Sequence, residues 1–155
     1  SNEDPTKITV EKKRLKEVSG KPVTKSRQHF LKLKFPDTYR NLIDAGITDD
    51  YTMGYADEIG FRAGLCCPFK WYDLEKEAET NLTIHPFAVM DGTLNNYQKL
   101  SPAEAIEKVK HIVKEIKNVN GEFITIWHNE TLSNWRDWEG WKNVYEDVIK
   151  IAILG

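Results

Sequence analysis

Cysteine is nearly absent: two residues in 155, adjacent to one another at Cys66-Cys67. A bridge between neighbours strains the intervening peptide, so no stapling disulfide is expected. With no second cysteine pair and no histidine at ligand spacing, a thiolate zinc site is not expected either. No apolar run approaches the ~18 residues that cross a bilayer, so no membrane partner is expected. No signal peptide is visible at the start, where Ser1-Asn2 reads as left by tag cleavage; a cytoplasmic location is compatible, and the location is otherwise open. Neither sign of charge dominates: 22 Lys+Arg face 24 Asp+Glu, a formal charge of −2, without the basic stripe of a nucleic-acid-binding module. There is no internal repeat, no low-complexity tract and no linker rich in Gly, Ser or Pro. What remains is a chain 40% hydrophobic and 30% charged, a globular balance that suits one α/β domain over residues 1–155.

The segments alternate. Asp4-Pro5 reads as an N-cap with proline at the first helical position, and Ile8, Leu15 and Val18 supply an apolar side before Gly20. Val23 to Phe30 reads as a strand. Pro36-Asp37 opens a second helix with Tyr39, Leu42 and Ile43 inward and Gly46 as the stop. Tyr51 to Tyr55 reads as a strand before a loop through Gly60 and Gly64, and Asp73 to Glu79 as a solvated loop or short helix. Leu82 to Met90 is an apolar run closed by the turn signal Asp91-Gly92.

Toward the C-terminus the signals sharpen. Ser101-Pro-Ala-Glu104 is a capping box, followed by Ile106, Val109, Ile112, Val113 and Ile116 at helical spacing up to Gly121. Glu122 to His128 is β-branched and aromatic on both faces, as a strand covered on both sides requires. Trp138, Trp141, Val144, Tyr145, Val148 and Ala152 form the inner stripe of a last helix. This alternation predicts βαβ units and a largely parallel sheet.

In such architectures ligands bind outside the carboxyl ends of the strands. The polar residues at those ends are Arg27, His29, Asp57, Asp91, and His128 with Asn129 and Glu130. Such a set suits hydrolytic or metal-assisted chemistry with a histidine acid/base. His128 is the sharpest member, because an apolar strand delivers it to the rim, where a carboxylate can orient it for proton donation. The competing role is a strand cap bonding a loop carbonyl. His85, inside an apolar run, reads as a hydrogen-bonded core histidine, and His111, between Lys110 and Lys114, as solvated. Glu11 to Arg14 reads as the outer face of the first helix. Trp135, Trp138 and Trp141, at spacing three, read as a packing stripe, although Trp127 and Trp135 are placed to stack on a sugar ring.

Ser26-Arg27-Gln28-His29-Phe30, Met53 to Asp57 with Gly60-Phe61-Arg62-Ala63-Gly64, and Ile124 to Asn129 occur in that order. Together they resemble the later motifs of the polysaccharide deacetylase family (NodB-like, carbohydrate esterase family four), closest to a divergent bacterial branch. The resemblance spans the whole chain but only the C-terminal half of the family's domain. It implies a partial, distorted β/α barrel. It also implies removal of N- or O-acetyl groups from an acetylated carbohydrate, with a divalent metal, usually zinc, in the intact protein.

Residue by residue, Arg27 resembles the arginine that braces the catalytic-base aspartate, with His29 standing in place of proline and Phe30 keeping the aromatic. His128 resembles the catalytic acid. Ile126 stands where a leucine packs on the acetyl methyl group, and Asn129 where aspartate is common. Asp57 matches the aspartate that tunes the histidine, with Asp49 and Asp50 as alternatives. Trp127 and Arg62 are further candidates for substrate contact. The family's Asp-Asp pair and its histidine pair of metal ligands have no counterpart, so no metal site is expected in this chain, and the expected start is a cut just after them. The expected activity is therefore that of the C-terminal portion of a deacetylase, inactive alone. The alternative is a non-catalytic carbohydrate-binding or scaffolding module. A half-barrel would also expose strand edges that invite dimerisation.

Overall fold

The structure, a computed structural model, describes residues 5–133 and 135–154. The predicted Asp4 cap lies outside them. The fold is α/β, and its chain forms two compact units. One is built from the residues up to Met53 together with Pro68–His85, the other from Gly54–Cys67 and the residues from Pro86 on.

The first unit holds α1 (Pro5–Ser19), β1 (Lys25–Ser26), α2 (Asp37–Asp44), β2 (Asp49–Asp50), β3 (Phe69–Asp73) and β4 (Ala78–Ile84). Its sheet runs β1-β2-β4-β3, parallel except for the antiparallel hairpin β3–β4. On α2, Tyr39 and Leu42 are fully buried, as their helical spacing predicts, and Gly46 supplies the left-handed residue (φ +71°) after the helix. The apolar side expected on α1 is mostly unburied: Ile8 is covered, but Leu15 and Val18 are 53% and 81% exposed. A polar anchor holds this helix near its middle, where the Lys12 ammonium donates to the carbonyls of Ala45 and Gly46.

Strands here are shorter than the apolar runs that suggested them. The segment from Val23 pairs only at Lys25–Ser26, then leaves the ladder through a 3-10 turn at His29–Leu31, where Phe30 and Leu31 take positive φ (57° and 53°). The strand expected at Tyr51–Tyr55 lies earlier, at Asp49–Asp50. Beyond it, Thr52 N–H donates to the Asp50 carboxylate, a local bond that competes with the ladder. Asp73 to Glu79 is solvated as expected in its middle, an exposed turn at residues 74–77, while its ends belong to β3 and β4. Asp73 ends β3 with its side chain buried, clamped by two bonds from the Arg40 guanidinium (2.7 and 2.8 Å), and it accepts the amides of Glu75 and Lys76 in the hairpin turn.

The expected run Leu82 to Met90 is two strands in two sheets. Proline at 86 cannot donate to a ladder, and the last bond of the first sheet is His85 N–H to the Asp50 carbonyl. The second unit begins its own pair with β5 (Val89–Met90), crosses through α3 (Pro102–Asn118) and returns as β6 (Thr125–Ile126), parallel to β5. This is the predicted βαβ unit. The sequence motif Asp91-Gly92 opens a helical turn, continued by a π-type turn at Thr93–Tyr97, rather than a reverse turn. Neither sheet closes on itself among the described residues.

The capping box of α3 is formed as predicted, with Ser101 Oγ accepting Glu104 N–H and the Glu104 carboxylate accepting Ser101 N–H. Val109, Val113 and Ile116 are buried against Trp141, Val144 and Val148 of α4 (Trp141–Leu154) in one core with Ala88, Val89 and Leu94. Gly121 is required for a reason other than stopping the helix. A Cβ there would lie 2.4 Å from the Cys66 sulfur, and the neighbouring Glu122 amide bonds the Cys66 carbonyl.

Candidate functional site

The parallel register Met90↔Ile126 sets the carboxyl ends of β5 and β6 side by side. Asp91 is the first residue past β5 and has no exposed surface. Its Oδ1 accepts Gly92 N–H at 2.6 Å and meets His128 Nδ1 at 2.7 Å. Its Oδ2 accepts His128 N–H at 2.6 Å and the hydroxyl of Thr131, itself fully buried on a 3-10 turn at Asn129–Ser133. An ionised carboxylate only accepts hydrogen bonds, so the imidazole donates from Nδ1, which leaves Nε2 as the working nitrogen. The His128 side chain is 46% exposed although its partner is not. The arrangement is a histidine of fixed orientation and tautomer presenting one nitrogen to solvent, backed by a buried negative charge.

This corrects the expected pairing of His128 with Asp57. Asp57 is exposed, and its backbone carbonyl receives Gln98 Nε2. The two alternatives are engaged elsewhere: Asp49 with His85 (2.9 Å), and Asp50 with the amide and hydroxyl of Thr52 (3.0 and 2.8 Å). Asp91 was visible as a strand-end polar residue but not as the partner. The signal that finds it is topological: consecutive parallel strands joined by one helix place their ends together.

The other sequence candidates scatter. Ile126 is buried on β6. Trp127 turns to the helical layer, edge to face with Tyr145 (5.2 Å, 67°), its indole nitrogen out of solvent, and so leaves the strand-end rim where sugar contact was expected. Arg62 is exposed on the loop of the second unit. Arg27 is exposed beyond β1 in the first unit, beside the exposed His29 and Phe30. His85 is the hydrogen-bonded histidine expected, its ring stacked on Tyr51 (4.4 Å, 9°). His111 lies exposed on α3.

Among the described residues no three His, Cys, Asp or Glu side chains converge to hold a metal ion, so these residues do not fit a resident metal and no step is drawn through one. The first unit carries a different electrostatic feature. Burial pushes the Asp50 carboxyl up to about 6, against the opposing hydrogen bonds of Thr52 and Ser26. Comparison with protein-family models, with curated proteins and with solved structures gives no match.

Proposed function

We propose that this chain is the proton-donor portion of a metal-dependent carbohydrate deacetylase, the C-terminal part of a distorted β/α barrel. The observation that supports this most is the Asp91–His128 pair at the ends of two adjacent parallel strands. Protonated on Nε2, His128 delivers its proton to the amine or alkoxide as the bond to the acetyl carbon breaks. Asp91 holds the ring and stabilises the imidazolium beforehand, and Thr131 holds Asp91. By the resemblance, Arg27 is the counterpart of the arginine that braces the base aspartate of the intact protein, and Ile126 of the leucine that packs on the acetyl methyl group; Arg62, exposed on its loop, is a candidate for substrate contact without a family counterpart. The divalent metal and the base belong to that intact protein, and no residue of this chain is assigned to either.

The test is acetate release from acetylated amino sugars by the intact protein with zinc. His128→Ala is expected to lower kcat by about 10²–10⁴-fold, the usual worth of a positioned proton donor. Asp91→Asn is expected to lower kcat by a similar factor, because its amide NH2 group donates where the carboxylate accepted and no longer holds the Nδ1–H tautomer. Undiminished release by His128→Ala would sink the assignment. Saturable glycan binding with no acetate released by the wild type would instead mark a carbohydrate-binding module without chemistry.

A further inference from the structure

Tryptophans 135, 138 and 141 share a spacing of three, yet the structure does not treat them alike. Trp141 is 2% exposed, and Trp138 packs on it edge to face (5.7 Å, 84°). Trp135 is 64% exposed. A large apolar ring is left in water at the end of a segment whose other tryptophans lie in the core or pack against it.

That ring is held in place. Its amide donates to Ser133 Oγ (3.3 Å), and Ser133 Oγ donates to the Glu130 carbonyl (2.6 Å), within the same 3-10 turn whose Thr131 bonds Asp91. On its other side Trp138 N–H returns to the Trp135 carbonyl (3.2 Å), and Asn95, four residues past Asp91, donates its side-chain amide to the Asp137 carbonyl (2.9 Å). The loop is thus fastened both to the segment after β6 and to the segment after β5.

The two faces of the indole differ. The Arg136 guanidinium lies 4.0 Å from the ring centroid and covers one face. Most of the exposed area therefore belongs to the opposite face, and the guanidinium leaves N–H donors at the ring's margin. A flat apolar face with fixed donors beside it matches a pyranose ring, which offers axial C–H groups over its face and hydroxyls at its edge.

We infer that Trp135, with Arg136, is a carbohydrate-stacking platform that takes a pyranose ring of the glycan acted on at His128. The inference rests on the deacetylase proposal for the identity of that glycan, but its binding readout is independent of hydrolysis. The 155-residue chain is titrated with an oligomer of N-acetylglucosamine while the five indole N–H signals are followed by NMR. Saturable shifts are expected at Trp135 and not at Trp138 or Trp141. Trp135→Ala is expected to weaken binding about tenfold and Trp135→Phe by less. Circular dichroism of the two Trp135 variants should match the wild type, since the ring packs on no core. No saturable binding, or equal affinity in wild type and Trp135→Ala, overturns the platform. In the intact protein, His128-dependent acetate release with unchanged KM in Trp135→Ala overturns it while leaving the catalytic proposal standing. Trp135-dependent binding without acetate release does the reverse.

Discussion

Replacing Asp50 with asparagine isolates one buried charge. Asp50 ends β2 with no exposed surface, and its carboxylate accepts the amide and hydroxyl of Thr52 and a bond from Ser26. Those bonds favour the charged form and fall short of compensating for burial, so the group titrates at about 6 in the folded protein rather than at its ordinary 3.8. Attraction to His85 also opposes the rise, while Asp49 precedes Asp50 on β2 and Lys25 pairs with Asp49 across from β1.

The sign follows from proton counting. Below about pH 3 both states hold the proton and Asp50 has no effect on stability. Between about pH 4 and 6 the unfolded chain binds fewer protons than the folded one, so stability falls as pH rises. At about 1.4 kcal/mol per pH unit, the gap from 3.8 to about 6 is worth about 3 kcal/mol, lost by pH 7. Asparagine does not titrate, and its amide must donate where the Thr52 hydroxyl donated before, an offset of about 1 kcal/mol at every pH. The variant is therefore expected to be slightly weaker than wild type at pH 4 and stronger by about 2 kcal/mol at pH 7, with a crossing at about pH 4.5, where the growing loss equals that offset. Urea unfolding followed by far-UV circular dichroism at several pH values measures this, and subtracting the two curves cancels the groups they share. A difference that stays constant from pH 4 to 8 would refute the reasoning.

Three further substitutions probe separate devices. Gly121→Ala should destabilise by about 1–3 kcal/mol, the range for overpacking, because its Cβ meets the Cys66 sulfur at 2.4 Å. Cys66→Ala in the same chain should recover part of the loss, and strictly additive effects in urea melts would argue against the contact. Ser101→Ala should cost about 1 kcal/mol and raise amide exchange in the first turn of α3; unchanged exchange there would deny the cap its role. Asp73, held down at about 2 chiefly by the Arg40 guanidinium, contributes stability that is present above its ordinary pKa and lost as pH falls through about 2. Asp73→Asn should lack that acid limb, and identical acid unfolding of the two proteins would contradict the pairing.

What the sequence shows clearly is short in range. The cap at Ser101 and the inward positions Val109, Val113 and Ile116 follow from residues within a few turns of one another, and they stand in the structure as predicted. Trp141, Val144 and Val148 on α4 succeed for the same reason. Strand lengths fail because a strand is as long as its partner allows. Glu122 to His128 has the composition of a seven-residue strand, but its neighbour β5 offers two residues after Pro86 breaks the run. The side of α1 fails because Lys12, a charged residue assigned outward, makes the tertiary contact through its ammonium. Trp135 departs from its stripe because the chain between α4 and β6 is held by the polar bonds of Ser133 and Asn95, which periodicity does not register.

The site divides along the same line. His128 is legible because it ends an apolar segment, a local fact. Its partner stands 37 residues earlier in the chain, and only the pairing of Met90 with Ile126 brings the two together. The bonds around Asp91 are not symmetric between the pair. Three of its four donors, the amides of Gly92 and His128 and the hydroxyl of Thr131, do not involve the imidazole. Those three close the loops and satisfy the buried carboxylate, and backbone or threonine groups supply them whatever side chain stands at 128. The imidazole adds only the fourth bond while keeping nearly half its side chain in solvent. A strand cap alone would need no exposed ring on a carboxylate already so well supplied. That fourth bond suits the proton-donor role proposed for His128, which needs a ring oriented from below and a nitrogen facing outward.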